Sequence, residues 1–369
     1  PWQISFTPQG DRLAIVHAGS DELTLIDLPE LRESLGERVF NNPIPGGTLY
    51  SPGTLQRSGL RIPLPLKGPR SLVVNEDAAI VAGYFSDAFC VVPFDEAELH
   101  ARDREPLYDL AFATPLSYDS EDDEDPEETE QEEPVPPLVP VLFDQIPRMT
   151  LARRGELLFH DGTICYQMWQ SCASCHPDAR TDAINWDLMN DGAGNPKNSK
   201  SMLESHPNPP AMATGVRATA EIAVRAGLHH ILFADRPEGE AVAIDAYLSG
   251  LKPVPSPYLT DEGELTESAL RGQDLFNSPR VGCYICHPLP YYTDRKLHEI
   301  GDAVTYPTIE EFDTPVLHEA WRTAPYLHNG AFDSIEVLLK EGRHGETRGQ
   351  LERLSEQQID DLIEFVLSL

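Results

Sequence analysis

Two cysteines and a histidine fall within five consecutive positions twice in this chain. The first cluster stands in "SCASCHPDAR" (171–180) and the second, 111 residues later, in "GCYICHP" (282–288). Each follows a similar heptapeptide, "RRGELLF" at 153–159 and "LRGQDLF" at 270–276, and each is followed far downstream by a short amphipathic segment. The repeated order predicts two copies of one small helical domain that use these groups in the same way.

The C-x-x-C-H spacing is compatible with three chemistries. A redox dithiol of the thioredoxin type stands in a βαβ setting, whereas these flanks are helical or loop-rich. A zinc site built from both C-x-x-C pairs leaves the following histidine unused in each copy. Covalent attachment of a c-type haem uses all three groups, because the thiols bond to the haem edge and the imidazole reaches the iron. We therefore expect two c-type haems, with ligating residues Cys172, Cys175, His176, Cys283, Cys286 and His287.

The N-terminal third has a β pattern. Residues 1–28 and 69–94 both give an apolar run, a polar turn, a second run, Ser-Asp and a third run, and each unit resembles a blade of a YVTN-type β-propeller. Because propellers use about 4–8 blades, further blades are expected upstream of Pro1 or from another chain, with a small two-sheet β domain as the alternative. The predicted fold class is multidomain, with an all-β partial β-propeller followed by all-α tandem cytochrome c domains. The predicted ranges are 1–116 for the propeller blades, 117–146 for an acidic, Pro-rich linker, 147–255 for the first cytochrome c domain and 256–369 for the second.

Charge and apolar content restrict the partners. The net charge is −33, which argues against a nucleic acid, since phosphates need a basic surface. Positions 119–133 hold eleven acidic residues and no basic one, which predicts a disordered linker. The alternative is a segment that attracts a basic partner electrostatically. No apolar run approaches the about 18 residues of a membrane span. Haem attachment of this type indicates a periplasmic or extracellular location, where Cys90 and Cys165 could form a disulfide.

The segment after the second cluster resembles a family signature. "TPVLHEAWRTAPYLHNGAFDSIEVLL" at 314–339 is similar to the TP-x-L…TAPY-x-H-x-G pattern of the bacterial di-haem cytochrome c peroxidase/MauG family. The similarity covers about 147–369, and 186–212 resembles the branch that is fused to YVTN propellers. The resemblance implies that hydrogen peroxide reacts at the haem on His176 and that electrons arrive through the haem on His287. It also implies a calcium ion between the haems, bound by the backbone carbonyls of Thr323 and Pro325. The place of Asn208 ahead of "PPAM" suggests its side chain as a further ligand.

The sixth ligand of the relay haem departs from the family, which uses Met or Tyr. The last methionine of the chain is Met212, in the first domain, so the second domain has none. His344 is the donor that its position favours, and an exposed loop histidine is the alternative. An imidazole in place of a thioether lowers the haem potential. Other candidate donors are Tyr291, Tyr292, Tyr306 and Tyr326.

The family places a displaceable histidine and a proton-shuttling glutamate beside the reactive haem. His206 and His230 are the candidates for the histidine. His230 begins an apolar run, and a histidine in such a run is often a core residue. Glu238 is the candidate for the glutamate, with Glu240 as the alternative. Both lie in the first turn of the closing helix, where acids are common for a structural reason alone.

Two further residues are assigned through the same resemblance. His328 in the TAPY motif is expected to support the relay haem or to act structurally. A tryptophan bridges the haems in the family, and Trp321 or Trp186 is expected to substitute for it, although large aromatics are usually core residues.

The predicted function is a di-haem c-type peroxidase that receives electrons from a small redox protein, a cytochrome c or a copper protein. A MauG-like oxidase of a protein side chain is the second hypothesis, in which a protein substrate replaces the soluble donor. The third is a non-enzymatic electron carrier. The TAPY signature favours an enzyme, and the absence of the family's methionine favours the carrier.

Overall fold

The computed structural model describes residues 1–33, 59–95, 138–143, 149–188, 196–300, 311–345 and 350–369. The chain divides into two compact units, Pro1–Pro147 and Arg148–Leu369. The acidic run at 119–133, predicted to be disordered, lies outside the described residues. Within the described ranges no helix has the length and apolar character needed to cross a membrane.

The N-terminal unit contains two four-stranded antiparallel sheets with the strands in chain order. The strands of the first sheet are β1 (Gln3–Phe6), β2 (Arg12–His17), β3 (Glu22–Asp27) and β4 (Gly59–Pro63). Those of the second are β5 (Pro69–Val74), β6 (Ala78–Gly83), β7 (Ala88–Pro93) and β8 (Val141–Leu142).

Alternating burial explains these strands. In β2 the side chains of Ala14 and Val16 are buried, and in β6 those of Ala79 and Val81, so each strand turns one face to a core that both sheets share. The sequence predicts the first three strands of each sheet. The fourth strand was not predicted, and β8 lies inside the range assigned to the linker. In the described part of the chain the sheets do not close into a ring, so the β content is confirmed and the propeller is not.

The second unit is helical, with the order that the repeat predicts. Its helices are α1 (Leu151–His160), α2 (Cys172–Cys175), α3 (Ala220–Ala226), α4 (Glu238–Gly250), α5 (Glu267–Phe276), α6 (Ile335–Lys340) and α7 (Glu356–Leu367). In each domain the helix before the cysteine cluster packs on the closing helix, α1 on α4 and α5 on α7. Two short hairpins pair β9 (Asn185–Trp186) with β10 (Lys197–Asn198), and β11 (Leu297–Glu299) with β12 (Glu311–Asp313).

A glycine in each heptapeptide sets the distance between the paired helices. A Cβ atom on Gly155 of α1 would lie 1.8 Å from the carbonyl oxygen of Ala243 in α4. A Cβ atom on Gly272 of α5 would lie 1.9 Å from the carbonyl oxygen of Asp361 in α7. Because both distances are far below van der Waals contact, only glycine permits this approach. The shared R-G-x-x-L-F motif is therefore a helix-packing motif.

We expect the Gly155→Ala substitution to lower the free energy of unfolding by about 3 kcal/mol, because the added methyl group forces α1 away from α4. Chemical denaturation of the haem-loaded protein measures the change. Gly239→Ala in α4 is the matched control, since no atom lies within 4 Å of its Cβ position. The control should leave stability within about 1 kcal/mol of the unsubstituted protein or raise it. Equal losses in the two variants would contradict the packing role.

The second helix pair is also joined by a buried carboxylate. Asp361 of α7 accepts hydrogen bonds from Arg271 Nη2 at 2.7 Å and from Ser268 Oγ at 2.7 Å, both in α5. The hydrogen bonds from Arg271 are the main reason that the pKa of Asp361 is lowered to about 2. The ion pair is half open to water, because the Arg271 side chain is 53% exposed.

Since the pKa of Asp361 is lower in the folded chain than in the unfolded chain, this carboxylate stabilises the fold above about pH 4 and loses that contribution as the pH falls towards 2. Asp361→Asn should lower the unfolding free energy at pH 7 by about 1–2 kcal/mol and should reduce its dependence on pH between 4 and 2. The control is Asp360→Asn, which removes an exposed partner of Lys340 and should change stability by less than about 0.5 kcal/mol. An unaltered acid-unfolding profile in the Asp361 variant would refute this assignment.

Candidate haem sites

Each C-x-x-C-H cluster forms a single helical turn that turns both thiols the same way. In the first cluster the backbone N–H of Ser171 donates to Ser174 Oγ at 2.9 Å and so begins α2. In the second, Gly282 adopts a left-handed conformation (φ 84°) and starts a 3₁₀ turn over Cys283–Ile285. Residues three apart in such a turn share a face, as a pair of thioether bonds to one haem edge requires.

The histidine of each cluster is fixed by a backbone carbonyl. His176 donates its Nδ1–H to the carbonyl of Arg180 at 3.0 Å, and His287 donates its Nδ1–H to that of Tyr292 at 2.8 Å. Burial lowers the pKa of both imidazoles, that of His287 to about 4. Each ring is therefore neutral with its proton on Nδ1, so that Nε2 carries the free lone pair. That tautomer is the one a metal-ligating histidine needs.

The thiols have the opposite character to those of a redox dithiol. Burial raises the pKa of Cys172 to about 12 and that of Cys283 to about 11. Redox dithiols instead rely on a lowered thiol pKa. Cys90 and Cys165 are both buried with free thiols, and the disulfide considered between them stays a prediction.

His344 lies opposite the histidine of the second cluster. The ring centroids of His287 and His344 are 6.5 Å apart. Two imidazoles on opposite faces of one metal ion give a similar separation, since two bonds of about 2.0 Å and the two ring radii add up to about 6 Å. Nδ1 of His344 is buried and has no hydrogen-bond partner in the part of the chain that the structure describes. The donor set around Cys283 thus fits a haem with two axial histidines, which is the arrangement predicted for His344.

Domain 1 contains a second copy of the segment that leads to His344, a repeat that the sequence analysis missed. "PPAMATGVRATAEI" at 209–222 matches "APYLHNGAFDSIEV" at 324–337 in the spacing of its small and apolar residues. The two copies form the same isolated bridge, Ala211 with Arg217 and Tyr326 with Phe332. A hydroxyl side chain then caps the next helix in each, Thr219 for α3 and Ser334 for α6.

The two copies differ at the end of this helix. In domain 1 a π-helical turn, Gly227–Ile231, extends the helix before the chain leaves it. Both ends then have a left-handed residue with φ of 49°, followed by a residue whose N–H donates to a carbonyl six residues back. That residue is His344 in domain 2 and Ala234 in domain 1. Because alanine has no donor atom, the position that places an imidazole 6.5 Å from the His287 ring in domain 2 offers no ligand atom at its equivalent in domain 1.

The predicted distal residues of domain 1 are scattered. His206 is buried, with its Nε2 3.0 Å from Asp245 Oδ1, and is therefore held in place. His230 lies at the π-helical turn, where it is exposed, and not in the apolar core that the sequence suggested; its ring contacts that of His229 at 4.6 Å. Glu238 is 68% exposed and pairs with Arg225, while the alternative acid Glu240 pairs with Arg236.

Trp321 and His328 lie in the TAPY region of domain 2. Trp321 is in the short 3₁₀ helix Ala320–Arg322, and its Nε1 is buried without a hydrogen-bond partner among the described residues. Trp186, the alternative, donates its Nε1–H to Asp182 at 2.9 Å. The ring of His328 stacks on Phe312 at 3.8 Å, and burial lowers its pKa to about 4. Both residues are half-buried, and the Arg322 guanidinium lies 5.6 Å from the centre of the Trp321 ring.

The residues predicted to bind calcium are not all brought together. Pro325 accepts a hydrogen bond through its carbonyl oxygen from the side chain of Asn198 at 2.6 Å, and Asn198 Oδ1 is buried without a partner in the described ranges. Asn208 instead accepts from Arg295 Nε at 3.0 Å and donates to the carbonyl of Glu204. The side chain of Thr323 donates to the carbonyl of Ala320 at 3.4 Å. Asn198, and not Asn208, is the asparagine beside the TAPY segment.

Two helical domains, each with its own C-x-x-C-H turn, fit a protein that carries two c-type haems. No protein-family model matches the chain. It is 25% identical over 273 residues to hydrazine synthase subunit gamma of Kuenenia stuttgartiensis, a match that covers 59% of this chain and 77% of that protein. The solved structure of Kuenenia hydrazine synthase under xenon has the same fold over 59% of this chain and 87% of its own, with a TM-score of 0.53 and 22% identity.

Other relatives are peroxidases and MauG proteins. Cytochrome-c peroxidase IdrP1 of Pseudomonas sp. (strain SCT) is 26% identical over 36% of this chain and 45% of its own length. The methylamine utilization protein MauG of Methylorubrum extorquens is 30% identical over 33% of this chain and 40% of its own. These relatives support the di-haem peroxidase/MauG family and imply two c-type haems. The chain is an oxidoreductase similar to di-haem cytochrome c peroxidases.

Replacing His344 by Ala should open the site at His287. We expect the low-spin electron paramagnetic resonance signal of that haem to give way to a high-spin signal and its reduction potential to rise, because a neutral imidazole donor is lost. His328→Ala is the matched control, since it removes another buried, neutral imidazole of the same domain and should leave the low-spin signal in place. A low-spin spectrum in the His344 variant identical to that of the unsubstituted protein would rule out this axial ligand.

Proposed function

We propose that the chain is a di-haem c-type peroxidase that reduces hydrogen peroxide at the His176 site with electrons relayed through the His287 site. The observation that carries this proposal is the difference between the two helix ends, His344 in domain 2 and Ala234 in domain 1. A closed site with two imidazoles suits electron transfer, whereas a site with one imidazole leaves a coordination position for peroxide.

The residues of the chain have separate tasks in this proposal. When bound, the haem at His176 supplies the redox chemistry that splits the O–O bond. His176 holds that site through Nε2 because its Nδ1–H is fixed by the Arg180 carbonyl. His287 and His344, whose ring centroids are 6.5 Å apart, would together hold the relay haem and leave no position there for peroxide. Trp321 is proposed as the aromatic group between the two sites, since its buried Nε1–H has no hydrogen-bond partner among the described residues.

A proton must move within hydrogen-bond reach of the peroxide. His230 remains the proposed group, because it lies on the π-helical turn a few residues before Ala234 and π-helical turns often mark functional sites. His206 and Glu238 are less suited to the task, since the first is held by Asp245 and the second by Arg225.

The partners follow from charge and from the relatives. A net charge of −33 favours a basic electron donor, a small cytochrome c or a copper protein. A periplasmic or cell-surface location is proposed with it. A calcium ion at the TAPY segment also remains a proposal, with the side-chain oxygen of Asn198 and the carbonyl of Pro325 as the donors that lie together.

A MauG-like oxidase that modifies a protein side chain is the second candidate. The 30% identity to MauG over 142 residues supports it. In this case the protein substrate, and not a small redox protein, would supply the electrons. Steady-state consumption of peroxide with a reduced cytochrome separates the two candidates, since only the peroxidase sustains it.

The direct test is to add stoichiometric peroxide to the oxidised and the half-reduced protein and to follow optical and electron paramagnetic resonance spectra. We expect one high-spin haem that reacts rapidly and one low-spin haem that does not bind peroxide. Two low-spin haems that stay inert in both oxidation states would refute the enzyme and leave an electron carrier.

The proposed proton transfer is tested with neighbouring histidines. His230→Ala should slow the reaction with peroxide by about a hundredfold, because a positioned acid–base group contributes about 10²–10⁴-fold. His229→Ala is the matched control on the same turn, since His229 is paired with Asp235 at an exposed position, and it should change the rate by no more than about threefold. Equal rates in the two variants would remove His230 from the mechanism.

A further inference from the structure

A buried carboxylate of domain 2 binds the loop that follows the first C-x-x-C-H cluster. Glu319 is 0% exposed and accepts two parallel hydrogen bonds from Arg180, at 2.8 Å from Nε and 2.6 Å from Nη2. Arg180 is itself only 7% exposed. This two-point contact fixes the plane and the direction of the guanidinium, which a single hydrogen bond would not.

Glu319 also binds two other parts of the haem unit. The backbone N–H of Val254, in the segment between the two domains, donates to Glu319 Oε1 at 2.7 Å. Arg322, one residue before the TAPY motif, donates its Nε–H to Oε2 at 2.7 Å. One carboxylate therefore joins the first cluster loop, the interdomain segment and the chain around Trp321.

The hydrogen bonds of Glu319 act on His176, the proposed iron ligand, through the backbone of Arg180. The carbonyl oxygen of Arg180 accepts the Nδ1–H of His176, while its guanidinium is held by Glu319 and by the carbonyls of Asp178 and Lys252. The backbone carbonyl of Arg180 is thus fixed by the imidazole of His176, and its guanidinium is fixed by Glu319 of domain 2. A partner on Nδ1 sets the orientation and the basicity of a metal-ligating histidine.

The energetics indicate that this ion pair determines position more than stability. Burial raises the pKa of Glu319, but the hydrogen bonds and charges of Arg180, Val254 and Arg322 outweigh it and leave the pKa below its ordinary value, so the carboxylate is ionised. A buried ion pair contributes little net stability compared with apolar residues of the same volume, whereas loss of one partner is costly. Apolar residues would close the domain junction as well, but they would not fix the Arg180 carbonyl.

We propose that Glu319 is a positioning residue that sets the orientation of His176 through Arg180 and so ties the reactive site of domain 1 to the chain around Trp321 in domain 2. The proposal rests on the proposed function only in calling the His176 site reactive. The structural link itself holds for any c-type haem bound there.

The test uses the haem-loaded protein without peroxide and compares Glu319→Gln with the unsubstituted chain. Glutamine has the same shape and lacks the charge. We expect the iron–histidine stretching band of the His176 site to shift in resonance Raman spectra of the reduced protein. We also expect the equilibrium constant for sharing one electron between the haems to move about tenfold towards the His176 haem, because a negative charge near it is lost. The spectra of the His287 site should stay unchanged.

Two further variants separate the charge from the geometry. Arg180→Lys keeps the positive charge and loses the planar fork, so it should shift the stretching band and change the electron-sharing constant by no more than about threefold. Asp361→Asn is the matched control, because it removes a buried, arginine-paired carboxylate within a single domain. This control should leave the band and the electron-sharing constant as they are.

If Glu319→Gln does not fold, the double variant Arg180→Met/Glu319→Leu replaces the ion pair by apolar groups of similar volume and should fold. It too should shift the stretching band, since the guanidinium no longer holds the loop. An unshifted band in Glu319→Gln, or in the folded double variant, would overturn the proposal. The stretching band requires an open site on His176, whereas the electron-sharing constant does not, so a chain with two low-spin haems whose constant still moves in Glu319→Gln would refute the proposed function alone.

Discussion

At Gly155 and Gly272 one helix of each haem domain comes so close to the backbone of another that no Cβ atom fits between them. Twelve residues separate the heptapeptide that contains this glycine from the first cysteine of the cluster in domain 1, and six residues do so in domain 2, so the helix pair in each domain anchors the chain that leads into the cluster. Small domains of this size have little core of their own, and a haem adds apolar surface to it. Helix approach, cluster placement and haem binding therefore depend on one another.

From this shared frame the two domains diverge at a single helix end. Between its hydroxyl cap and its left-handed residue, the helix of domain 1 is five residues longer than that of domain 2. The extension moves the helix end by more than a turn, and alanine replaces histidine after it. The duplicated fold thus places an imidazole after this helix in domain 2 and none at the equivalent position of domain 1, which supports the proposal of two imidazoles at the His287 site and an open position at the His176 site.

The sequence predicts the features that depend on short-range pattern. Cys172, Cys175 and His176 lie within five positions, and the strands of the N-terminal unit follow from alternation, so both can be recognised locally. The sequence does not predict features that depend on contacts between residues far apart in the chain. The partner of Arg180 is 139 residues away in Glu319, and nothing near either residue signals the contact. Asn198 and Asn208 both precede the TAPY segment by more than a hundred residues, so only the fold decides which one meets Pro325.

Ala234 illustrates a different limit. Sequence motifs are defined by residues with donor atoms, and an alanine carries none, although the proposed difference between the two iron sites depends on this position. The signal was nevertheless present in the sequence, because the repeat of 209–222 at 324–337 shows where the counterpart of His344 has to be sought. In a duplicated protein, comparison of the two halves shows where equivalent positions differ, and here the difference between His344 and Ala234 supports the proposal of an open site on His176.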